Sequence, residues 1–197
     1  MKSYNQQFQE NYAPVEVPAN NKDGFRIKYV YIGSWYMWEV SPEKRQRDKL
    51  VIGSLWLLEL ACYLAAGLIP SGLSTEQLVS ALGLITLIPL AFETYGAFSF
   101  LFLKERITKP DFNRVRLYLG AASVIRTALL FLTAGCSVVT AIMNKLSGSS
   151  LITILGFALS AVFCGLLSYH FLHIPYTSEK NDTMDRIVDD KLEDAEL

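Results

Sequence analysis

The sequence predicts an all-α integral membrane protein. The expected architecture is an antiparallel four-helix transmembrane bundle with a small N-terminal β-hairpin at the cytoplasmic interface. Three observations predict it. The 197-residue chain is 51% hydrophobic with a mean hydropathy of +0.27, and its apolar residues are clumped rather than spread along the chain. The clumps form four runs, each about as long as the 20 or so residues that cross a bilayer. Lys and Arg crowd one set of connections and nearly vanish from the other.

The chain divides into a mobile tail over 1–24, an aromatic segment over 25–40, a transmembrane domain over 41–174 and an acidic tail over 175–197. The opening residues do not read as a signal peptide, because no apolar core follows a basic start. Residues 1–22 are rich in Asn, Gln, Pro and Glu. From Phe25 the pattern changes. Phe25, Ile27, Tyr29 and Tyr31 alternate with Arg26 and Lys28, which predicts a strand. Gly33 and Ser34 offer a turn, and Trp35 to Val40 reads as the returning strand. A lone hairpin is marginal, so this one needs a support, either the headgroup layer that Tyr and Trp favour or a protein partner.

The spans cover about 50–70, 78–103, 117–143 and 151–174. Ser41 followed by Pro42 predicts a helix start well before the first span. The run from Ile69 to Gly72 stops that helix, and Ser74 to Gln77 has capping-box spacing for the next. Thr108 to Asp111 opens the third helix, Leu146 to Ser150 separates it from the fourth, and Pro175 ends the fourth. Short connections after the first and third spans make sequential helices antiparallel neighbours.

Lys44, Arg45, Arg47 and Lys49 precede the first span. Lys104, Arg106, Lys109, Arg114 and Arg116 lie between the second and third, whereas the opposite loops carry only Lys145. The positive-inside bias therefore places both termini in the cytoplasm of a cell-membrane, multi-pass protein. In the tail from Pro175, eight acidic residues stand against three basic ones, with Met184, Ile187, Val188 and Leu192 near helical spacing. Such a tail avoids anionic lipid and reads as a solvated, frayed end, with folding back on the basic central loop or binding a basic partner as the alternatives.

Glu59, Glu93 and Arg126 are ionisable residues within the spans. Each lies nine or ten residues from the cytoplasmic end of its span, counted from Leu50, Leu103 and Leu117. At 1.5 Å per residue that is roughly 14 Å deep, near the midplane of a core of about 30 Å. A charge at that depth costs at least about 2.5–3.5 kcal/mol, so such residues face inward and pair. Polar neighbours mark the inward faces: Trp56 and Tyr63 around Glu59, Thr86, Pro89 and Gly96 with Glu93, and Ser123, Thr133, Ser137 and Thr140 along the stripe of Arg126 that Leu130 interrupts. Pro89 should kink the second helix near Ile85 and free a carbonyl there. The fourth helix carries Gly156, Ser160, Cys164 and Ser168 every fourth residue, a stripe for close packing.

Two carboxylates face one guanidinium. One Glu is neutralised by Arg126, and the other must hold a proton, bind a cation or meet water. The hypothetical site is therefore Glu59, Glu93 and Arg126, with Tyr63, Thr86, Pro89, Ser123 and Thr133 in support. It serves either as a structural lock or as a proton- or cation-coupled site.

Motifs exclude more than they name. Cys62, Cys136 and Cys164 have neither disulfide-framework nor zinc spacing, and read as small embedded residues. Four-helix thiol oxidoreductases need paired cysteines at a helix end, which this chain lacks. Small multidrug transporters share four spans and a glutamate in the first, but this chain is longer and adds Glu93 and Arg126. His170 and His173 share one side of a helix without a third ligand at fixed spacing, and read as interfacial. The expectation is no catalytic residue, no metal, no cofactor and no nucleic acid. The expected partners are the lipid bilayer and a protein at the cytoplasmic face. The chain reads as an accessory or interaction subunit of a membrane complex, with a small transporter as the alternative.

Overall fold

The computed structural model describes residues 4–18, 25–144, 148 and 150–181. The amphipathic stretch expected around Met184 to Leu192 lies outside them. The chain forms two compact units. One is made of Val40–Leu103 and Arg114–Pro175, and the other of the segments that precede, connect and follow these.

The first unit is helical. Among the described residues, four helical stretches are long and apolar enough to cross a membrane: Pro42–Leu68, Gln77–Leu101, Lys109–Met143 and Ser150–Leu172. The first is helix α2 (Pro42–Leu68; α1, Tyr4–Asn11, belongs to the other unit). It starts as its sequence dictates, with Pro42 in the first turn and the Lys44 amide donating to Ser41 Oγ at 3.3 Å. The second is broken into α3 (Gln77–Ile85) and α4 (Leu87–Leu101) at Thr86. Pro89 lacks the amide that Ile85 would need, so the break falls where the proline requires it.

The expected capping box at the start of this span does not form. Glu76 occupies the cap position but makes no capping bond, its Oε1 accepting instead from Asn144 Nδ2 at 2.8 Å. Ser74 is committed elsewhere: its hydroxyl donates to Ser71 O at 2.7 Å, and its carbonyl accepts from Ser80 Oγ at 2.8 Å.

The third stretch is α5 (Lys109–Val115), a π-helical segment (Arg116–Ala121) and α6 (Ala122–Met143). Thr108 starts it, accepting from the Asp111 amide at 3.3 Å and donating to Asp111 Oδ2 at 2.8 Å. The π segment has no signal in the hydropathy pattern. The fourth stretch is α7 (Ser150–Leu172).

Small residues set the helix contacts. A Cβ on Gly156 would lie 2.7 Å from Ala66 Cβ and 2.9 Å from Cys62 O, so α7 packs directly on the backbone of α2. Ser160 Oγ donates to Glu59 O at 3.2 Å across the same contact. Gly156, Ser160, Cys164 and Ser168 are all buried, as their spacing predicts. The outward faces are apolar and exposed, with Leu68 at 75%, Ile142 at 73% and Leu151 at 59%. Exposed apolar surface on this scale marks a face suited to lipid or protein.

The second unit contains α1 (Tyr4–Asn11) and five short strands: β1 (Tyr12–Pro18), β2 (Phe25–Tyr31), β3 (Trp35–Trp38), β4 (Arg106–Thr108) and β5 (Tyr176–Glu179). An N-terminal hairpin is present, but its pairing corrects the expectation. β2 pairs with β1, from Tyr12 opposite Tyr31 to Pro18 opposite Phe25. The segment 1–24, read as a mobile tail, therefore supplies a helix and a strand. Pro14 and Pro18 disguised β1, yet prolines are tolerated on an edge strand.

The predicted return strand β3 instead joins a separate sheet, ordered β4-β3-β5 and antiparallel throughout. The chain diverts between β2 and β3 because the Ile32 and Gly33 amides bond Asn11 O at 2.8 and 3.3 Å. Tyr31 also donates to Ser34 O at 2.7 Å. In the three-stranded sheet, Tyr36 stacks on Phe112 and Phe112 meets Tyr176 edge-on, with ring centroids 4.3 and 4.8 Å apart. β3 leads into α2, β4 lies between α4 and α5, and β5 follows α7.

Candidate functional site: a buried Glu–Arg–Glu layer

The three charged residues within the spans meet. Glu59 comes from α2, Glu93 from α4 and Arg126 from α6, and all three are 0% exposed. Arg126 Nη1 contacts Glu59 Oε1 and lies 2.9 Å from Glu93 Oε2. One nitrogen thus serves both carboxylates. The pairing follows from position: the three charges stand at comparable distances along their helices, and meeting one another spares each an unpaired burial.

The fourth helix contributes a member that the sequence reading took for packing. Cys164 Sγ lies 3.8 Å from both Glu93 carboxylate oxygens and 3.3 Å from Ser123 O. A signal for it existed. Cys164 sits ten residues from Ile174, the depth shared by the charges on the other helices.

Tyr63 belongs to the site as well. The Arg126 guanidinium carbon stands 5.3 Å from the centre of its ring, within cation–π range. The Tyr63 hydroxyl points away and donates to Gly83 O at 2.7 Å. Thr86 Oγ1 donates to that same carbonyl at 2.7 Å, so Thr86 and Tyr63 together satisfy an acceptor beside the helix break. Pro89 is buried on the face of Glu93. Trp56 stacks edge-on with Phe98, with ring centroids 5.4 Å apart.

The hydroxyl stripe of α6 is inward but closed upon itself. Ser123 donates to Leu119 O, Thr133 to Leu129 O at 2.8 Å and Ser137 to Thr133 O at 2.7 Å. Ser123 reaches the layer through its carbonyl, whereas the Thr133 hydroxyl bonds the backbone of its own helix.

The layer is polar beyond what its contacts satisfy. Glu59 Oε2, Arg126 Nε and Arg126 Nη2 are buried without a hydrogen-bond partner among the described residues. Donor atoms of Glu59, Glu93 and Cys164 lie within 4.8 Å of one another, a spacing that suits a metal ion. The Arg126 guanidinium already stands against Glu59 Oε1 and Glu93 Oε2 and would repel an ion placed between them, so the donor set fits a metal poorly.

His170 and His173 separate into two roles. His170 Nε2 pairs with Asp48 Oδ1 at 3.1 Å, joining α7 to α2, while His173 Nδ1 lies 2.7 Å from Tyr169 O on its own helix. Sequence spacing put the two histidines together, but their partners set them apart.

No protein-family model matches the chain, and no curated protein or solved structure matches it either.

Proposed function

We propose that this chain is a multi-pass interaction subunit of a membrane complex. In this reading its four apolar helices form an antiparallel bundle across the cell membrane, with both termini cytoplasmic. The β-rich unit is then the part that meets a protein partner.

The observation that carries the proposal is the hairpin. Phe25, Ile27 and Tyr29 are 45%, 58% and 56% exposed on a paired strand outside every candidate span. Contiguous apolar surface on an ordered element marks an interaction site. The topology agrees with the proposed insertion. Strands from before α2, between α4 and α5, and after α7 share one sheet. A shared sheet of these three segments supports the reading, because an up-down-up-down path would leave all three on one side of a membrane. The surplus of Lys and Arg over these connections favours the cytoplasmic side.

The test is purification from the native membrane in mild detergent, comparing the parent chain with Ile27→Glu. A stoichiometric partner in the parent that is lost from the variant supports the proposal. A chain that runs alone in both overturns it.

One observation favours a second reading, a proton- or cation-coupled transporter. Two buried carboxylates meet one guanidinium, so electroneutrality leaves one proton or cation to be exchanged. Proton flux into proteoliposomes should fall in Glu59→Gln and in Glu93→Gln under this reading. Equal flux in the parent, both variants and empty vesicles removes it.

A further inference from the structure

The helical unit contains a groove of about 350 Å³, at the lower end of the roughly 300–1,000 Å³ range of small-molecule sites. It lies between the end of α2, helix α3 and the start of α7, with Tyr63 and Phe157 among its walls. Gly67 on its lining has open space where a Cβ would stand. Leu64, Leu68, Leu84 and Leu87 line it and are also exposed, at 44%, 75%, 64% and 42%. They belong to the same apolar surface that lipid would cover.

Charge decides the occupant. Among the described residues, no charged side chain lines the groove. Its hydroxyls are all engaged: Tyr63 donates to Gly83 O, Ser74 to Ser71 O and Ser80 to Ser74 O, and Thr153 Oγ1 shares a hydrogen bond with Ser71 Oγ at 2.7 Å. An anionic headgroup would find no cation there and would have to break an existing hydrogen bond to gain a donor, and burying it unpaired is costly. An apolar chain meets no such penalty and gains about 0.8 kcal/mol per buried methylene relative to water.

We propose that this groove holds one acyl chain of a bilayer lipid, admitted sideways past Leu64, Leu68, Leu84 and Leu87. The proposal rests on membrane insertion and is independent of the interaction-subunit reading. It also gives the chain an inner neighbour. Tyr63, which lines the groove, places its ring against Arg126, so an occupant that moves Tyr63 reaches the charged layer.

The experiment uses full-length protein in phosphatidylcholine vesicles containing a minor fraction of phosphatidylcholine with a mid-chain diazirine. Adducts are mapped after photolysis. Two variants frame the result. Gly67→Phe fills the groove, whereas Gly135→Phe adds the same ring to an exposed position of α6 that also has open space at its Cβ.

The expected result is labelling of 63–68 and 79–87 above that of the exposed α6 face around Leu132. Gly67→Phe should lower it about tenfold, the loss of roughly two methylenes of contact. Gly135→Phe should leave it unchanged. Labelling spread evenly over the helices, or unaffected by Gly67→Phe, overturns the groove while leaving insertion standing. Absence of label on the α6 face as well would overturn both insertion and the groove.

Discussion

Gly96 of α4 lies directly against the backbone of Leu119 in the π segment. A Cβ at Gly96 would sit 2.5 Å from Leu119 N and 2.7 Å from Tyr118 C, and backbone atoms cannot swing aside as a side chain does. Glycine is therefore required here by contact. Gly96→Ala should destabilise the folded protein by about 1–3 kcal/mol through overpacking. Gly135→Ala provides the contrast, since its Cβ would meet nothing within 4 Å. Relieving a mid-helix glycine there should stabilise by about 0.5–1 kcal/mol. Thermal unfolding of both variants in one detergent checks the opposite signs.

Tyr31 knits the β-rich unit together through its hydroxyl, which donates to Ser34 O at 2.7 Å and accepts from the Lys109 amide at 2.8 Å. Tyr31→Phe leaves that amide without this partner and should cost about 1–3 kcal/mol locally. Hydrogen exchange at Lys109 should accelerate while exchange in α6 stays unchanged. The pH dependence has a defined sign. Burial holds the Tyr31 phenol above its ordinary value of 10.0. The unfolded chain then ionises first, so this contribution is complete below pH 10 and is lost as pH rises through the folded value. Tyr31→Phe should remove that alkaline loss.

Lys49 reads in the sequence only as one of the charges that orient the first span. In the structure its Nζ donates to Leu101 O and Leu103 O, each at 2.7 Å, where α4 runs out of amides to satisfy its carbonyls. A cation at a helix C-terminus is favourable as well. Because Lys49 is partly exposed, Lys49→Met should cost only about 1 kcal/mol. Exchange should quicken in the last turn of α4, and Lys49→Arg should recover part of the protection.

The helical stretches and the charged layer were legible because their signals are local or additive. Ser41 and Pro42 start a helix by their own chemistry, Pro89 breaks one, and the depth of Glu59, Glu93 and Arg126 follows from counting residues at 1.5 Å each. The misses were settled by partners that single segments do not reveal. β3 pairs with β4 and β5, strands that lie about 70 and 140 residues further along the chain, so no turn signal near Gly33 could predict it. β1 looked unstructured because its prolines outweigh its alternation, until β2 supplied a ladder. Cys164 carries no charge, so its position along α7 has no electrostatic cost to single it out from the packing stripe. The π segment has no compositional mark, yet the backbone of Leu119 within it is what Gly96 requires.

The last prediction concerns what the Glu–Arg–Glu layer contributes to folding. Removing only the cation leaves two carboxylates in a fully buried site, and breaking a buried pair costs about 3–5 kcal/mol. Arg126→Met should therefore be among the most damaging single changes in the helical unit. Glu93→Gln should be milder, because Glu59 still contacts Arg126 and balances its charge. The informative variant carries Glu59→Gln, Glu93→Gln and Arg126→Met together. If the layer is a lock that selects one helix arrangement, neutral side chains of similar size should restore most of the stability lost in Arg126→Met, since neither charge is then left unpaired. If the layer exchanges a proton or cation, the same triple variant folds but loses pH-dependent flux. Unfolding in detergent and flux in vesicles, measured on the same four proteins, separate the outcomes. A triple variant as unstable as Arg126→Met would show that these side chains are needed for their hydrogen bonds and shape rather than for mutual neutralisation.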